Sequence, residues 1–268
     1  MATLTQLANQ FNSDKGDQVR CCHRYTTLYE TIFEPYRDRP ISILEIGLQR
    51  ETTQHQLDCP SLRMWLEFFP QAKIAGFDLT DFSEVDIPRA KTYQGDQSDA
   101  NRLREVAEDA GPFDIIIDDG SHASAHQQIT LGTLWPYLNP GGLFVIEDAH
   151  WQPQRDVERR EGTETMLSIF KRFSIYGEPI ESPYLSDERC HELEQDIVRC
   201  TFSHPFVDER TKPQKRSMIR EVARRVLKGK KRYSDQRLFK LIVLEKRGTA
   251  DQSRGLETTA VQMTCDSV

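Results

Sequence analysis

The chain has 268 residues, with 35 Lys+Arg against 42 Asp+Glu and a formal net charge of −7. An apolar content of 37% with 29% charged residues is the composition of a soluble globular protein with a sizeable core, and it excludes a disordered chain. No apolar run approaches the roughly 20 residues of a membrane-spanning helix, and a net acidic chain is a poor general partner for nucleic acid.

The N-terminal stretch MATLTQLANQF has neither a basic flank nor an apolar core, so no secretory leader is expected and a cytoplasmic location is. The first strand signal is ISILEIGL (41–48), ending in Glu-x-Gly. A polar loop follows, then SLRMWLEFF (61–69), whose Leu62, Trp65 and Phe69 share one helical face and which Pro70 stops. KIAGFDL (73–79) reads as a second strand and KTYQGD (91–96) as a weaker third, before a helical stretch that ends at Gly111-Pro112. FDIIIDDG (113–120) is the strongest strand signal. Residues 123–138 read as helix, NPGG (139–142) as a turn, and GLFVIED (142–148) as another buried strand. Near-continuous apolar runs of this kind belong to parallel strands covered by helices on both faces. The pattern is that of a doubly wound α/β sheet.

The last third differs. A less regular stretch fills 151–195, and IVRCTFSH (197–204) and LFKLIVLEKR (238–247) read as two further strands. Between them, Asp208 to Arg237 carries twelve Lys/Arg against four Asp/Glu, with an apolar stripe of Met218, Ile219, Val222 and Val226. Such an insert is either an ordinary solvated helix lying on the sheet or a basic amphipathic surface for an anionic membrane, glycolipid or partner. The tail after Gly248 is polar, and a frayed end is expected. The six cysteines, at 21, 22, 59, 190, 200 and 265, form no C-x-x-C pair and are expected as free thiols.

In an open α/β sheet, ligands bind outside the carboxyl ends of the strands. The polar residues there are Glu45 and Gly47, Asp78, Asp96 and Gln97, Asp118 and Asp119 with His122, and Glu147 and Asp148 with His150. A carboxylate ending the second strand, Asp78, suits the ribose hydroxyls of an adenosine cofactor. No G-x-G-x-x-G and no P-loop is present, which argues against a dinucleotide or nucleoside triphosphate. Asp119, Glu147 and Asp148 end two strands joined by one helix-sized connection, and three carboxylates in one cleft call for a hard divalent cation. Because strand side chains alternate, Asp118 and Asp119 are expected to point to opposite faces. His122 and His150 are the candidate proton acceptors beside that cluster, since imidazole titrates near neutrality.

DKG (14–16), H-x-Y (23–25), ILEIG (43–47), SLRMW (61–65), GDQSD (95–99), DIIIDDGSH (114–122), LNPGG (138–142) and VIED (145–148) occur in that order. Together they resemble the Mg²⁺- and S-adenosylmethionine-dependent sugar O-methyltransferases of the macrocin and mycinamicin type, rhamnosyl O-methyltransferases included. The likeness covers roughly residues 8–150. It implies a Rossmann-like class I methyltransferase: a mostly parallel seven-stranded sheet with an antiparallel last strand. Three parts are expected: a helical segment over the cofactor site (1–40), the methyltransferase domain (41–248) with the basic insert at 208–237, which the resemblance does not match, and a polar tail (249–268).

By the same resemblance Glu45, Gly47, Asp78, Asp96, Gln97 and Asp118 line the cofactor site. Asp119, Glu147 and Asp148 hold Mg²⁺, and His122 is the base in preference to His150. The acceptor is a sugar hydroxyl of a glycosylated natural product or glycolipid, and relatives suggest a homo-oligomer. Two departures accompany the likeness. The loop after Gly47 lacks the glycines often found in relatives, and VIED runs on into AHWQP where relatives commonly carry a Thr-Ser-Tyr run. A same-fold enzyme of another reaction, such as a cephalosporin hydroxylase, and a catalytically silent cofactor- or glycolipid-binding module are the alternatives.

Overall fold

The computed structural model describes residues 1–18, 23–48, 57–150, 153, 162–203 and 239–249. The basic insert at 208–237, the glycine-poor loop at 49–56 and the tail after 249 lie outside these residues. Seven strands form one sheet: β1 (Ser42–Ile46), β2 (Lys73–Asp78), β3 (Ala90–Gln94), β4 (Phe113–Asp118), β5 (Leu138–Ile146), β6 (Ile197–Ser203) and β7 (Leu241–Lys246). Their order is β3-β2-β1-β4-β5-β7-β6. The first five pair in parallel, and β7 runs antiparallel to both β5 and β6, as expected of the last strand.

The helices are α1 (Leu4–Gln10), α2 (Thr26–Phe33), α3 (Pro60–Phe68), α4 (Ala100–Ala110), α5 (Ser124–Leu134), α6 (Met166–Tyr176) and α7 (Asp187–Asp196). Several start at a local signal. Thr3 and Gln6 form a reciprocal capping box on α1, Pro60 opens α3, and Asp99 caps α4 by accepting from the Asn101 and Arg102 amides. Leu62, Trp65 and Phe69 are all fully buried, as their shared face requires.

Two readings need correction. The stretch 151–195 holds α6 and α7, so it is more regular than its sequence suggests. On α7 only Cys190 and Leu193 are buried, which is too short a stripe to show a period. Its start is marked instead by Ser186, whose hydroxyl caps the helix, while Gly177 in the left-handed region ends α6. NPGG is not a separate turn. β5 begins at Leu138 and passes through it, and a shift of register between Phe113 and Ile115 on β4 absorbs the irregularity.

The alternation of side chains along the strands divides the core in two. Leu44, Ile46, Ile116, Phe144 and Ile146 join Leu103, Leu131 and Phe170 of α4, α5 and α6 on one face. Ile43, Ile115, Ile117 and Val145 join Leu4, Tyr29 and Trp65 of α1, α2 and α3 on the other. By the same parity Glu45, Asp119 and Glu147 belong to the face that the N-terminal helices cover, and Asp118 to the opposite one.

Candidate active site

The strand order reverses direction between β1 and β4, and the crevice outside the carboxyl ends at such a point is where open α/β sheets bind ligands. Gly47 follows β1 with φ +88°, and its amide donates to the Phe77 carbonyl at 2.8 Å. A Cβ at that position would lie 2.1 Å from the Asp119 carbonyl oxygen, so the glycine is required by the close approach of two backbones. Asp78 closes the other side of the loop: its two carboxylate oxygens accept from the Leu48 and Thr80 amides at 2.7 and 2.8 Å. Leu79, next in the chain, is 70% exposed and leaves an apolar face beside that carboxylate.

Asp96 is exposed and accepts from the Ser98 amide at 2.7 Å. Gln97 is buried and fully engaged: its amide nitrogen donates to Asp118 at 2.6 Å and to Thr130 at 3.1 Å, and its oxygen accepts from the Ser121 amide. It ties the end of β3 to β4 and α5. Asp118 is buried on this α4–α5 side, away from Asp119, as the alternation requires. Burial pushes its carboxyl up to about 6, although Gly120 and Gln97 donate to it.

On the other face stands a residue that the sequence reading quoted only as part of a motif. Lys15 is fully buried, and its ammonium donates to Asp119 Oδ2 at 2.6 Å and Glu147 Oε1 at 2.7 Å, and lies 3.4 Å from Glu45 Oε1. Burial opposes the charge, but Asp119, Glu147 and Glu45 outweigh it and raise the ammonium well above its ordinary value. Tyr29 of α2 also donates to Glu147 Oε1, at 2.6 Å. Glu45 is buried beside Ser61 and Trp65.

The loop carrying Lys15 is zipped to the H-x-Y segment. The amides of His23, Arg24 and Thr26 donate to the carbonyls of Asp14, Gly16 and Lys15 at 2.7, 3.0 and 3.1 Å. DKG and H-x-Y are therefore two sides of one structure.

Asp148 is the centre of a second group. Tyr25 donates to its Oδ1. His23 Nδ1 and His150 Nδ1 lie 3.5 and 3.8 Å from the same oxygen, and His122 Nε2 lies 3.8 Å from Oδ2. Burial works against this carboxylate, but the imidazoles and the tyrosine hold it well below the ordinary carboxylate range. Burial in turn pulls the His150 imidazole below its usual value, against the attraction of Asp148.

Asp119, His122 and Asp148 each offer a donor atom, and these atoms lie within 4.8 Å of one another. The two carboxylates at the open end of the cleft fit a hard divalent cation, with positions left for oxygen ligands from a substrate, and the His122 imidazole stands beside them. Glu147 stands outside this group and turns to Lys15 and Tyr29. The structure therefore brings together Asp119, His122 and Asp148, sets His150 beside Asp148, and ties Glu147 to Asp119 through Lys15.

Known proteins resemble this chain in sequence and in fold. The chain is 39% identical over 191 residues to mycinamicin VI 2''-O-methyltransferase of Micromonospora griseorubida, covering 67% of this chain and 47% of that protein. It is 41% identical over 177 residues to 8-demethyl-8-alpha-L-rhamnosyl tetracenomycin-C 2'-O-methyltransferase of Streptomyces olivaceus, covering 63% and 44%. The structure of MycE methyltransferase in complex with Mg, SAH and mycinamycin VI superposes with a TM-score of 0.63 at 28% identity, over 97% of this chain and 57% of that one.

The chain is a relative of the sugar O-methyltransferases.

Its fold is the class I methyltransferase fold. No family model matches it, and it spans about half the length of the curated relatives it matches. Cys59, Cys190 and Cys200 are free thiols, whereas Cys21, Cys22 and Cys265 lie outside the described residues. Among the described residues no helix is long and apolar enough to cross a membrane.

Proposed function

We propose that this chain is an S-adenosylmethionine-dependent O-methyltransferase that acts on a sugar hydroxyl of a glycosylated small molecule, in the cytoplasm, with Mg²⁺ in the cleft. The observation that carries the reading is the convergence of Asp119, His122 and Asp148 at the mouth of the β1–β4 crevice. It is supported by relatives named as sugar O-methyltransferases and by a structural neighbour that holds Mg and SAH. Asp119 and Asp148 would hold the metal. Glu147, which the resemblance places among its ligands, acts here on the Lys15 side.

On the cofactor side, Asp78 would accept the ribose hydroxyls and Leu79 would cover one face of the adenine, while Gly47, packed on the Asp119 backbone, would set the course of the loop that lines the cofactor. Asp118 and Gln97 shape the wall behind it, and Asp96 stands at its rim. When bound, Mg²⁺ would lower the pKa of the acceptor hydroxyl. His122 takes the proton from that hydroxyl as the oxygen bonds to the sulfonium methyl group and the S–CH₃ bond breaks, leaving a methyl ether and S-adenosylhomocysteine. Asp148 orients His122 and steadies the charge it gains. His150 approaches the other oxygen of Asp148 and is the competing acceptor. The remaining work is positioning and electrostatic preorganisation.

The described residues of the N-terminal segment 1–40, α1 and α2 above all, cover the sheet face that carries Glu45, Asp119 and Glu147. They form one functional unit with the domain at 41–248, which we propose assembles as a homo-oligomer. The glycolipid or membrane role of 208–237 falls on residues outside those described. The test is calorimetric titration with S-adenosylhomocysteine, with Mg²⁺ and then with EDTA, followed by incubation with rhamnosylated polyketides. The expected result is cofactor binding, separate Mg²⁺ binding lost in Asp119→Ala, and a mass gain of one methylene on the acceptor. Failure to bind S-adenosylmethionine or its product in the presence of Mg²⁺ would overturn the reading.

A further inference from the structure

Lys15 poses a question that the methyl transfer does not answer. A lysine ammonium is costly to bury, and this one is buried against carboxylates from the ends of three different strands, β1, β4 and β5. One of them, Asp119, also belongs to the group with His122 and Asp148. Asp119 is thus shared between a cation that the chain carries with it and the position proposed for a cation that it would bind. The three acids are placed together by strand parity, and unpaired they would repel. The loop from Ser13 to Gly16, zipped to His23–Thr26 by three backbone hydrogen bonds, brings the compensating charge to Glu45 and to Asp119 and Glu147, the latter two 104 and 132 residues away in sequence.

We propose that Lys15 is a built-in counter-charge for the metal cleft. It stands in part of the role that a divalent ion would play for Asp119 and Glu147, so that the cleft folds without metal and holds the metal more weakly than its acid content alone would dictate. The inference rests on the Mg²⁺ reading above and deepens it. Lys15 is a positioning residue: it fixes Asp119 and Glu147 and links them to Glu45 beside the cofactor loop, without itself reaching the acceptor. Two consequences follow from electrostatics alone. Removing the ammonium leaves an excess of negative charge that a divalent ion can neutralise, so the variant binds metal more tightly. In chelator the same variant is less stable than wild type, and metal restores what the substitution removed.

The experiment compares the full chain with Lys15→Met, which keeps length and loses charge, and Lys15→Arg, which keeps charge. Mn²⁺ and Mg²⁺ are titrated calorimetrically in the presence of S-adenosylhomocysteine, and thermal unfolding is followed by circular dichroism in EDTA and in Mg²⁺. Lys15→Met is expected to bind Mn²⁺ about tenfold more tightly or better, since a unit charge a few ångströms away is removed. Its unfolding temperature is expected to fall in EDTA and to recover with metal. Lys15→Arg is expected to track the wild type. Equal or weaker metal binding in Lys15→Met, or a loss of stability that metal does not repair, would overturn the proposal.

Should Lys15→Met not fold in EDTA, its folding on titration with Mn²⁺ supports the idea, and failure to fold at saturating Mn²⁺ overturns it. The wild-type titration stands apart from these arms. No metal binding there removes the Mg²⁺ reading, while the comparison between variants still decides the role of Lys15.

Discussion

Gly47→Ala tests whether the cleft is built on the contact between the ends of β1 and β4. An alanine Cβ would lie 2.1 Å from the Asp119 carbonyl oxygen, 2.6 Å from its carbon and 2.9 Å from Gly120 Cα, all of them backbone atoms with no side-chain freedom. Ordinary contact begins near 3.4 Å, so the two segments must part by about 1.3 Å. That movement strains the Gly47 amide on the Phe77 carbonyl, at 2.8 Å, and the Asp119 amide on the Ile46 carbonyl, at 2.9 Å. Each such bond contributes about 1 kcal/mol net, and φ of +88° adds about 1 kcal/mol for any L-residue. The expected loss is about 3 kcal/mol, or about 10 °C in unfolding temperature for a chain of this size.

Gly177→Ala is the matched control. It has φ of +68° and nothing within 4 Å of the added carbon, so only the backbone cost of about 1 kcal/mol applies. Circular dichroism melts of both variants, with Mn²⁺ titrations alongside, make the comparison. Gly47→Ala should also weaken Mn²⁺ binding, because Asp119 is displaced from His122 and Asp148, while Gly177→Ala should leave it unchanged. Equal losses of stability in the two variants would refute the argument, since the backbone approach would then carry no weight.

Asp118→Asn should change the pH dependence of stability. The folded carboxyl at about 6 lies above its ordinary 3.8, so the folded state holds the proton more tightly. The stabilisation this gives is complete below pH 3.8 and is lost as pH rises to 6, at most about 3 kcal/mol. Urea unfolding between pH 4 and 7.5 should therefore show the variant gaining on wild type as pH rises, and parallel curves would count against the assignment. Tyr29→Phe removes a donor to the buried Glu147 and should cost about 1.5–3 kcal/mol, read by denaturant unfolding at pH 7; a loss below about 0.5 kcal/mol would mean that Lys15 satisfies Glu147 unaided. His122→Gln should lower turnover by about a hundredfold or more with S-adenosylhomocysteine affinity intact, and the reverse ranking of His122→Gln and His150→Gln would transfer the role of base to His150.

The sheet was legible because its signals are local. The apolar runs at 43–46, 113–118 and 142–146 are bounded by turn residues, and their alternation already places Asp118 and Asp119 on opposite faces, which the contacts of Gln97 and Lys15 bear out. The carboxyl ends of the strands also marked out Glu45, Asp78, Asp119 and Asp148, and the structure places all four at or just beyond those ends. Lys15 escaped because Asp14 and Asp17 beside it make it read as one charge of a polar loop, while the carboxylates it meets are Glu45 and, 104 and 132 residues away, Asp119 and Glu147. DKG was visible as a motif, and H-x-Y as another, but the backbone pairing that joins them is a property of the folded loop. Leu79 offered a weaker clue, an apolar residue directly after the carboxylate that ends β2, and only its exposure makes it informative.

Asp148 shows where parity stops being a guide. Two residues beyond Ile146, continued alternation would send its side chain to the α4–α5 face with Asp118. It instead meets Tyr25, His23 and His122. The cause is conformational: Asp148 has φ of +48° and His122 φ of +57°, and Arg24, between His23 and Tyr25, has φ of +58°. Asp and His enter the left-handed region more readily than most residues, yet each instance costs about 1 kcal/mol or more and persists only when the surroundings enforce it. Three of the five non-glycine residues with positive φ among the described residues thus belong to the segments that meet at one carboxylate. The strain re-aims two side chains that regular strand and helix geometry would have separated. A pattern of residue types does not encode it, because the conformation is imposed by Tyr25 and the packed N-terminal loop, on the far side of the chain.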